Sequence, residues 1–548
     1  MSVFRGMMLV VLLPAVTWAM SFEDARHLLN RTGFGATPEE IAEFAKLDRA
    51  AAVNRIVASA QAEPKTAPPY WTDEPVGGLF TLRLMSLKGM RGEDVKLERE
   101  AIKRQQERQQ KNRVSELKAW WWNEMIRTKS PVTERMVLFW HNHFTSEVDT
   151  VKSPELMYQQ NALLREHALG NFGDLLLKAT IDAAMIVYLD NNSNTKGSPN
   201  ENYAREVMEL FTLGEGRGYT EDDIKEAARA FTGWRVNDIS KKFVFERNKH
   251  DAGEKTILGQ TGRFTGEDVV RILLEHKGTS NFVTEKMWKA FVCEEPDQAE
   301  VKRIASKFLD SKYEIQVLLR ELLLSDAFWA PVNRGNMIKS PADLVVGSCR
   351  MFETHPAQSF EISAFGKLLG QDLFAPPDVA GWKGGRYWID ANTLITRHQL
   401  SRLVLSKPDE QKVKRFENNR KAQKLAALRA EKERKEIQYL LDGQKSLLDN
   451  VFEDDAFEDF GGGADVIALE MAVDLALSGE LSPEEVVRQE MGSAEPRDVQ
   501  GWIRQQGLDR MQLQKILLPR EPVRSIEKTM GATEVVAQLL LDPTFQLK

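Results

Sequence analysis

Cysteine is scarce in this sequence, and several catalytic and cofactor-binding motifs are missing. Its 548 residues include only two cysteines, Cys293 and Cys349. Neither lies in a CxxCH motif, so no covalently attached haem is expected. The GxSxG, HExxH and P-loop patterns, which mark common hydrolases, metalloproteases and nucleotide-binding proteins, are also absent. The two thiols could form one disulfide or remain free in apolar helices, and both alternatives stay open.

Long hydrophobic runs are missing after the N-terminus. There, Arg5 precedes a short apolar run from Met7 to Val16, and Ala19 ends a small-residue cleavage site. This pattern predicts a signal peptide over residues 1–19, cleaved before Met20 or Ser21. The alternative is a membrane anchor, but the run is too short to span a bilayer comfortably. We therefore expect a periplasmic or secreted protein with no membrane span in the mature chain.

Positive charge is not in excess. The formal net charge is -7 and the sequence pI is near 5.8, which argues against a general nucleic-acid-binding protein. With 42% hydrophobic residues, the chain is long enough to bury a large core.

Helix patterns dominate, and they predict a mostly α-helical protein. We expect a large multi-helix core domain at 20–407 with a small β-hairpin insert near 242–258, where Lys242–Glu246 would pair with Lys255–Leu258. Residues 408–447 are densely charged and predict a solvated helix or coiled coil. Residues 448–548 predict a C-terminal helical module whose final helix packs on the core.

The stretch 188–234 carries the densest set of polar, directional side chains around predicted helices. Asn200 marks a helix start, and Gly214 marks its end in a left-handed cap. Within this helix, Arg205 is four residues from both Glu201 and Glu209, so a three-residue ion-pair ladder is available. A second helix opens at Thr220, with Asp223 placed to complete a capping box.

His141 and His143 lie two residues apart near the end of another predicted helix. On a regular helix, residues two apart point about 200° away from each other, so a shared metal would require the helix to end or distort there. The alternative is that one histidine bonds to backbone in the core while the other lies near the surface.

Eight segments of the chain form a recognisable set. They are RTGFGAT (31–37), ERMVLFWHNHFTS (134–146), LLREHALGNFGDLL (163–176), the whole of 188–234, ILGQTG (257–262), KSPADLVVG (339–347), FAPPDVAGWKGGRYW (374–388) and LLLDPTFQLK (539–548). Together they resemble a known bacterial family, domain of unknown function family 1800. The resemblance implies an exported protein and suggests an exported sulfatase-like partner encoded nearby, but it assigns no catalytic residue.

Two functions fit these observations. The first is a hydrolase-like envelope enzyme with a polar pocket, built on residues 188–234, that would hold a divalent metal ion. Its candidate acid/base and charge-binding groups are His141, Asp190, Arg205 and Glu206. Its candidate metal ligands are His141, His143, Glu206 and Glu209. Its candidate binding residues are Asn191, Asn200, Asn202, Trp234 and Trp382.

The second function is a non-catalytic envelope protein that binds a partner or helps an assembly, with the same polar residues serving the fold. The two are distinguishable by geometry. Glu206, Glu209, Asp190 and a histidine gathered around an open cavity would favour the enzyme. The same side chains paired with one another and sealed from solvent would favour the binding protein.

Overall fold

The computed structural model describes residues 19–73, 87, 91–237, 240–353, 359–405, 414, 498–527 and 529–548. Three predicted segments lie outside these residues: the signal peptide (apart from Ala19), the charged run 408–447 (apart from Lys414), and residues 448–497 of the C-terminal module. Across the described residues the chain forms 22 α-helices and two small two-stranded sheets. The prediction of a mostly α-helical fold with a small β insert is confirmed.

Three helices open the described chain, and local capping explains where they begin. They are α1 (Phe22–Thr32), α2 (Pro38–Phe44) and α3 (Arg49–Ala58). Ser21 accepts a hydrogen bond from the Asp24 backbone amide at the start of α1. Thr37 and Glu40 form a capping box at the start of α2.

A long helix and its successor form the frame of the core. They are α4 (Glu93–Arg127) and α5 (Pro131–His143). The first part of α4 is mostly exposed, whereas Trp120, Trp121 and Trp122 near its end are all buried. The three indoles face three different surroundings: Trp120 donates to a loop carbonyl, Trp121 to the Glu134 carboxylate at 2.9 Å, and Trp122 packs on Gly366.

Short helices then lead into the central stretch. They are α6 (Val148–Val151), α7 (Pro154–Glu166), α8 (Phe172–Thr180), α9 (Ala183–Tyr188), α10 (Glu201–Met208) and α11 (Glu221–Ala230). A π-helical turn, Glu209–Leu213, closes α10. Gly214 ends this turn with a φ of 89°, as expected, but its ψ of 145° is not that of a left-handed helical cap. The predicted cap geometry was therefore wrong, because a π turn takes its place.

Two hairpins follow, and their pairing corrects the predicted one. Strand β1 (Trp234–Val236) pairs with β2 (Phe243–Phe245), and β3 (Lys255–Ile257) pairs with β4 (Gln260–Gly262), both antiparallel. Both predicted strands exist, but they do not pair with each other. Each finds a nearer partner across a short turn, which costs less loop-closure entropy.

The remaining helices build the second half of the core and the C-terminal part. They are α12 (Gly266–Glu275), α13 (Lys277–Phe291), α14 (Gln298–Asp310), α15 (Ile315–Leu324), α16 (Asp326–Trp329), α17 (Pro341–Met351), α18 (Ser359–Leu368), α19 (Ala391–Val404), α20 (Val499–Gln506), α21 (Arg510–Leu517) and α22 (Ala532–Leu541). Helix α22 lies against α19, and the backbone of Gln546 and Lys548 pairs with that of Met337 and Lys339.

One continuous hydrophobic cluster joins helices from α1 to α22. Cys349 is buried in it, Cys293 is partly exposed, and the two do not form a disulfide with each other. In the part of the chain that the structure describes, no helix combines the length and apolar character needed to cross a membrane.

Candidate functional site

Asp190 occupies a surface turn after α9. Its φ of 53° lies in the left-handed region, which aspartate tolerates better than most non-glycine residues. The Ser193 hydroxyl donates to its carboxylate at 3.0 Å, and the Asn200 amide donates to its carbonyl at 3.2 Å. Asp190 therefore shapes the turn that leads to α10, and its side chain is exposed.

Two asparagines buried beneath this turn tie it to α11 and β1. The Asn191 amide donates to the Trp234 carbonyl at 2.9 Å. The Asn194 amide donates to the Asn191 side chain and to the Ala228 carbonyl, both at 3.0 Å. The Asn194 side-chain oxygen accepts from the Asn200 backbone amide at 3.0 Å. Because Asn191 and Asn194 are both fully buried, these bonds replace the hydrogen bonds to water that the two side-chain amides lose on folding.

Asn200 and Asn202 complete the network at the start of α10. The Asn200 side chain caps the helix by accepting from the Asn202 backbone amide at 3.1 Å. The Asn202 side chain donates to the Leu189 carbonyl at 3.2 Å. Both side chains thus bond to the backbone of the surrounding turn and helix.

Arg205 forms the predicted ion-pair ladder and one further pair. Its guanidinium contacts Glu201 at 3.4 Å and Glu209 at 3.3 Å on its own helix. It also binds both carboxylate oxygens of Glu221 on α11, at 2.7 and 3.0 Å. The hydrogen bond to Glu221 is the main reason that the pKa of Arg205 is raised. Arg205 therefore joins α10 to α11.

Glu206, one residue further, has no such partner. Burial raises its pKa to about 7, and the neighbouring charges of Glu209 and Glu215 add to this effect, while Arg205 opposes it. No hydrogen bond or ion pair holds its carboxylate among the described residues. Glu206 is therefore a poorly compensated acid that titrates near neutral pH.

Three carboxylates act electrostatically on the half-buried phenol of Tyr188. Burial is the main cause that raises the pKa of Tyr188 to about 12, and the charges of Glu147, Asp378 and Glu206 contribute to the same rise. None of the three acids has an ion-pair partner in the described parts of the chain. We call Glu147, Tyr188, Glu206 and Asp378 the Tyr188 surface. It is a locally negative surface, and Arg205, which opposes this charge at Glu206, is itself bound to Glu221.

His141 lies in an aromatic cage near the end of α5. Its ring packs against Trp121, Phe374 and Trp382, with centroids 5.3, 5.4 and 5.8 Å away. The side chain is buried and its Nε2 atom has no hydrogen-bond partner. Burial lowers its pKa to about 4, so the ring is neutral at neutral pH.

His143 lies in a different aromatic group. Its ring Nε2 is 3.1 Å from the Phe211 carbonyl, and the ring stacks on Phe139 with planes 8° apart. Burial, followed by the charge of Lys286, lowers its pKa well below the ordinary value. Since α5 stays helical through His143, the two histidines point into separate clusters, as helical spacing predicts for residues two apart.

The expected metal-ligand set of His141, His143, Glu206 and Glu209 does not assemble. Among the described residues, no three His, Cys, Asp or Glu side chains are placed to hold one metal ion. The physical reason is that each histidine is enclosed by aromatic rings, while Glu209 is bound to Arg205.

Trp234 and Trp382 are both buried, but they serve different contacts. The Trp234 ring lies over the backbone of Gly266, where an added Cβ would come within 2.3 Å of it. It is core, not the wall of a pocket. Trp382 is held by Asn142, whose side chain accepts from the Trp382 amide at 2.7 Å and donates to its carbonyl at 3.2 Å. This pair of bonds fastens the loop 374–388 to α5.

A family model described as "Protein of unknown function (DUF1800)" matches residues 27–547, nearly the whole chain. The chain belongs to this family. No curated protein and no solved structure matches it.

In this DUF1800 member, sequence patterns did not single out Glu147 and Asp378. Glu147 lies in the loop before α6 and Asp378 in the loop 374–388, far from Tyr188 in sequence. Only the packing of these loops brings them near the central stretch: the Val148 amide donates to the Phe374 carbonyl at 2.8 Å.

Proposed function

We propose that this protein is exported and acts in the cell envelope by binding a partner, and that the Tyr188 surface receives a basic group of that partner. The observation that carries the proposal is the set of three unpaired carboxylates around Tyr188. Bringing a lysine or arginine to such a surface compensates charges that the fold leaves uncompensated, and complementary charge gives specificity and a faster association rate. The exported sulfatase-like protein that the family resemblance implies is the first partner to test.

The other polar residues of the stretch support binding over catalysis. The asparagines bond to backbone and to one another, Arg205 is shared among three glutamates, and His141 is enclosed by aromatic rings. A general acid or base must reach the proton that it moves. Asp190 shapes an exposed turn through its hydrogen bond with Ser193. His141 is buried and has no access to solvent, so it cannot reach a substrate proton.

A hydrolase-like enzyme is a second candidate because of one specific observation. Glu206 is a partly buried carboxyl whose pKa is raised to about 7, which suits acid/base chemistry at neutral pH. In that case, a hydrolytic activity found with ester, glycoside or sulfate-ester substrates would be lost in Glu206→Gln and retained in Asp222→Asn. Activity in which both variants equal the wild type would remove this candidate.

The binding proposal is tested by titrating the sulfatase-like partner against the purified mature protein. The titration is made at pH 8, where Glu206→Gln removes most of one charge from the Tyr188 surface because the pKa of Glu206 is about 7, and Asp378→Asn removes a second charge. Asp222→Asn is the matched control, since it removes one charge from an exposed pair with Lys225 on α11. We expect Kd to rise about tenfold in Glu206→Gln, which is about 1.4 kcal/mol, and to rise with salt. Equal affinities for Glu206→Gln and Asp222→Asn would contradict the proposal.

Export is tested separately by determining the N-terminus of the protein recovered from the envelope fraction. We expect Met20 or Ser21. In support, the Met20 backbone amide donates to the Leu47 carbonyl at 2.8 Å and Ser21 caps α1, so cleavage before Met20 preserves both contacts. Intact Met1 on soluble cytoplasmic protein would contradict export.

A further inference from the structure

A small cavity lies between α1, α17 and the C-terminal segment, and it shares no residue with the Tyr188 surface. Its volume is about 40 Å³, several times the roughly 10–15 Å³ that one water needs. Lys339, Asp343 and Lys548 supply its charged lining, and Asn30 and Ser348 add neutral polar groups. The space suits a few waters or one small ion.

Backbone pairing fixes both lysines at this cavity. The Lys339 amide donates to the Gln546 carbonyl at 2.7 Å, and the Lys548 amide donates to the Met337 carbonyl at 2.8 Å. These bonds hold two extended segments side by side, with one lysine on each. The cationic groups are therefore placed by the backbone and not by flexible loops.

The charges around the cavity do not balance. Arg135 and Lys548 both pair with the Asp343 carboxylate. Behind them, Arg31 donates to a backbone carbonyl at 2.7 Å and to an asparagine side chain at 2.8 Å, and Arg397 donates to the Lys339 carbonyl at 2.9 Å. Asp343 is thus the carboxylate shared by Arg135 and Lys548, whereas no side-chain carboxylate of the described residues pairs with the buried Arg31 and Arg397. Such an arrangement is costly without a further anion.

Lys339 is the cation with the fewest contacts. Its ammonium lies 4.0 Å from the centroid of the Phe545 ring, and no oxygen of the described residues accepts from it. Burial lowers the pKa of Lys339 to about 7, and it lowers the pKa of Lys548 to about 7 as well. The buried Nε atoms of Arg31 and Arg397 also lack acceptors. The cluster is therefore rich in donors and short of acceptors.

We propose that this cavity binds a small tetrahedral oxyanion, phosphate or sulfate, between Lys339 and Lys548. Such an ion presents several oxygens, and so accepts from both ammonium groups and from the neutral polar lining at once. It also supplies the negative charge that the cluster lacks. No covalent step is involved, and the site is independent of the proposed partner binding.

Isothermal titration of the whole mature protein with inorganic phosphate, sulfate and acetate at equal ionic strength tests this proposal. We expect Kd below about 1 mM for phosphate or sulfate at pH 7, and binding weakened at least tenfold in Lys339→Met. Lys339→Arg keeps the charge and is expected to restore most of the affinity. Lys383→Met is the matched control, because Lys383 also lies over an aromatic ring, Tyr387, but is exposed.

Thermal unfolding in the same salts provides a second measurement. Phosphate and sulfate stabilise many proteins by exclusion from their surfaces, so the comparison is between variants. We expect these salts to raise the melting temperature of the wild type and of Lys383→Met more than that of Lys339→Met. No binding heat, equal affinity in Lys339→Met, or acetate binding as tightly as phosphate would each overturn the proposal.

Discussion

Glu206 lies on the Tyr188 surface and has a raised pKa. Burial, and then the charge of Glu209, raise its pKa from 4.5 to about 7. A carboxyl of this kind holds its proton more tightly in the native state than in the unfolded state. Its contribution to the unfolding free energy is therefore favourable at low pH and is lost as the pH rises from about 5 to 7.

This pH dependence of the unfolding free energy gives a prediction for the Glu206 side chain. Replacing Glu206 by Gln removes the titration, so the variant gains stability relative to the wild type as the pH rises from 5 to 8. Urea denaturation of both proteins at several pH values measures the difference. Glu267→Gln is the control, because that carboxyl is exposed and has no ion pair. A Glu206→Gln difference that is constant with pH would show that Glu206 is not perturbed.

Single residues also show what sequence patterns can and cannot predict. The Glu201–Arg205–Glu209 ladder follows from helical spacing alone, and the structure contains it. The third partner, Glu221, depends on how α10 lies against α11, which no local pattern encodes. The prediction for this arginine was therefore correct within its helix and incomplete across the helix pair.

At the scale of elements, the contact between α12 and β1 depends on a glycine. Gly266 is the first residue of α12, and a Cβ there would come within 2.3 Å of the Trp234 ring and 2.7 Å of Phe231. Trp234 is fully buried and cannot move outward without opening the core. The absence of a side chain at residue 266 thus sets how closely α12 approaches the central stretch.

Gly266→Ala is expected to lower the unfolding free energy by about 1–3 kcal/mol, because overpacking forces neighbouring side chains to shift. Chemical denaturation measures the change. Gly197→Ala is the matched control, since no atom lies within 4 Å of the position where its Cβ would be. Equal stability of the two variants would mean that the core around Trp234 relaxes freely.

Elements differ in how well local sequence specifies them. The capping box of α11 was predicted because Thr220 with Asp223 encodes it within four residues. The strands were also predicted, but not their partners. Any short apolar strand beside a turn offers more than one antiparallel partner, and the choice depends on the packing around it.

For the whole molecule, Asp343 connects parts that are far apart in the chain. It lies in the first turn of α17, pairs with Arg135 of α5 and with Lys548, and completes the α17 capping box with Ser340. Burial raises the pKa of this carboxyl, but Arg135 and Lys548 outweigh that effect and hold it well below its ordinary value.

Asp343→Asn is therefore expected to cost about 3–5 kcal/mol of unfolding free energy, since it leaves buried cations without their shared anion. Denaturation followed by tryptophan fluorescence measures the loss. Asp222→Asn, which removes an exposed charge, is the control and is expected to stay within about 0.5 kcal/mol of wild type. A similarly small effect at Asp343 would indicate that another anion already compensates the cluster.

Tertiary packing across the whole molecule explains why the candidate site was only partly predictable. Sequence patterns predicted the helix start at Asn200 correctly, because a helix cap is encoded locally. They could not bring Glu147 and Asp378 to Tyr188, because both come from loops whose positions depend on tertiary packing. Likewise, the cavity at Lys339 forms from segments near both ends of the chain.

The central claim is that the buried asparagines of 188–234 hold the fold, leaving the Tyr188 surface for a partner. Its most direct test is the unfolding free energy of Asn194→Ala, with the exposed Asn392→Ala as control. Asn194 makes three hydrogen bonds and is fully buried, so we predict a loss of about 2–4 kcal/mol, with little change in the control. A loss below about 0.5 kcal/mol would contradict the account, because the asparagine would then be free to serve a ligand.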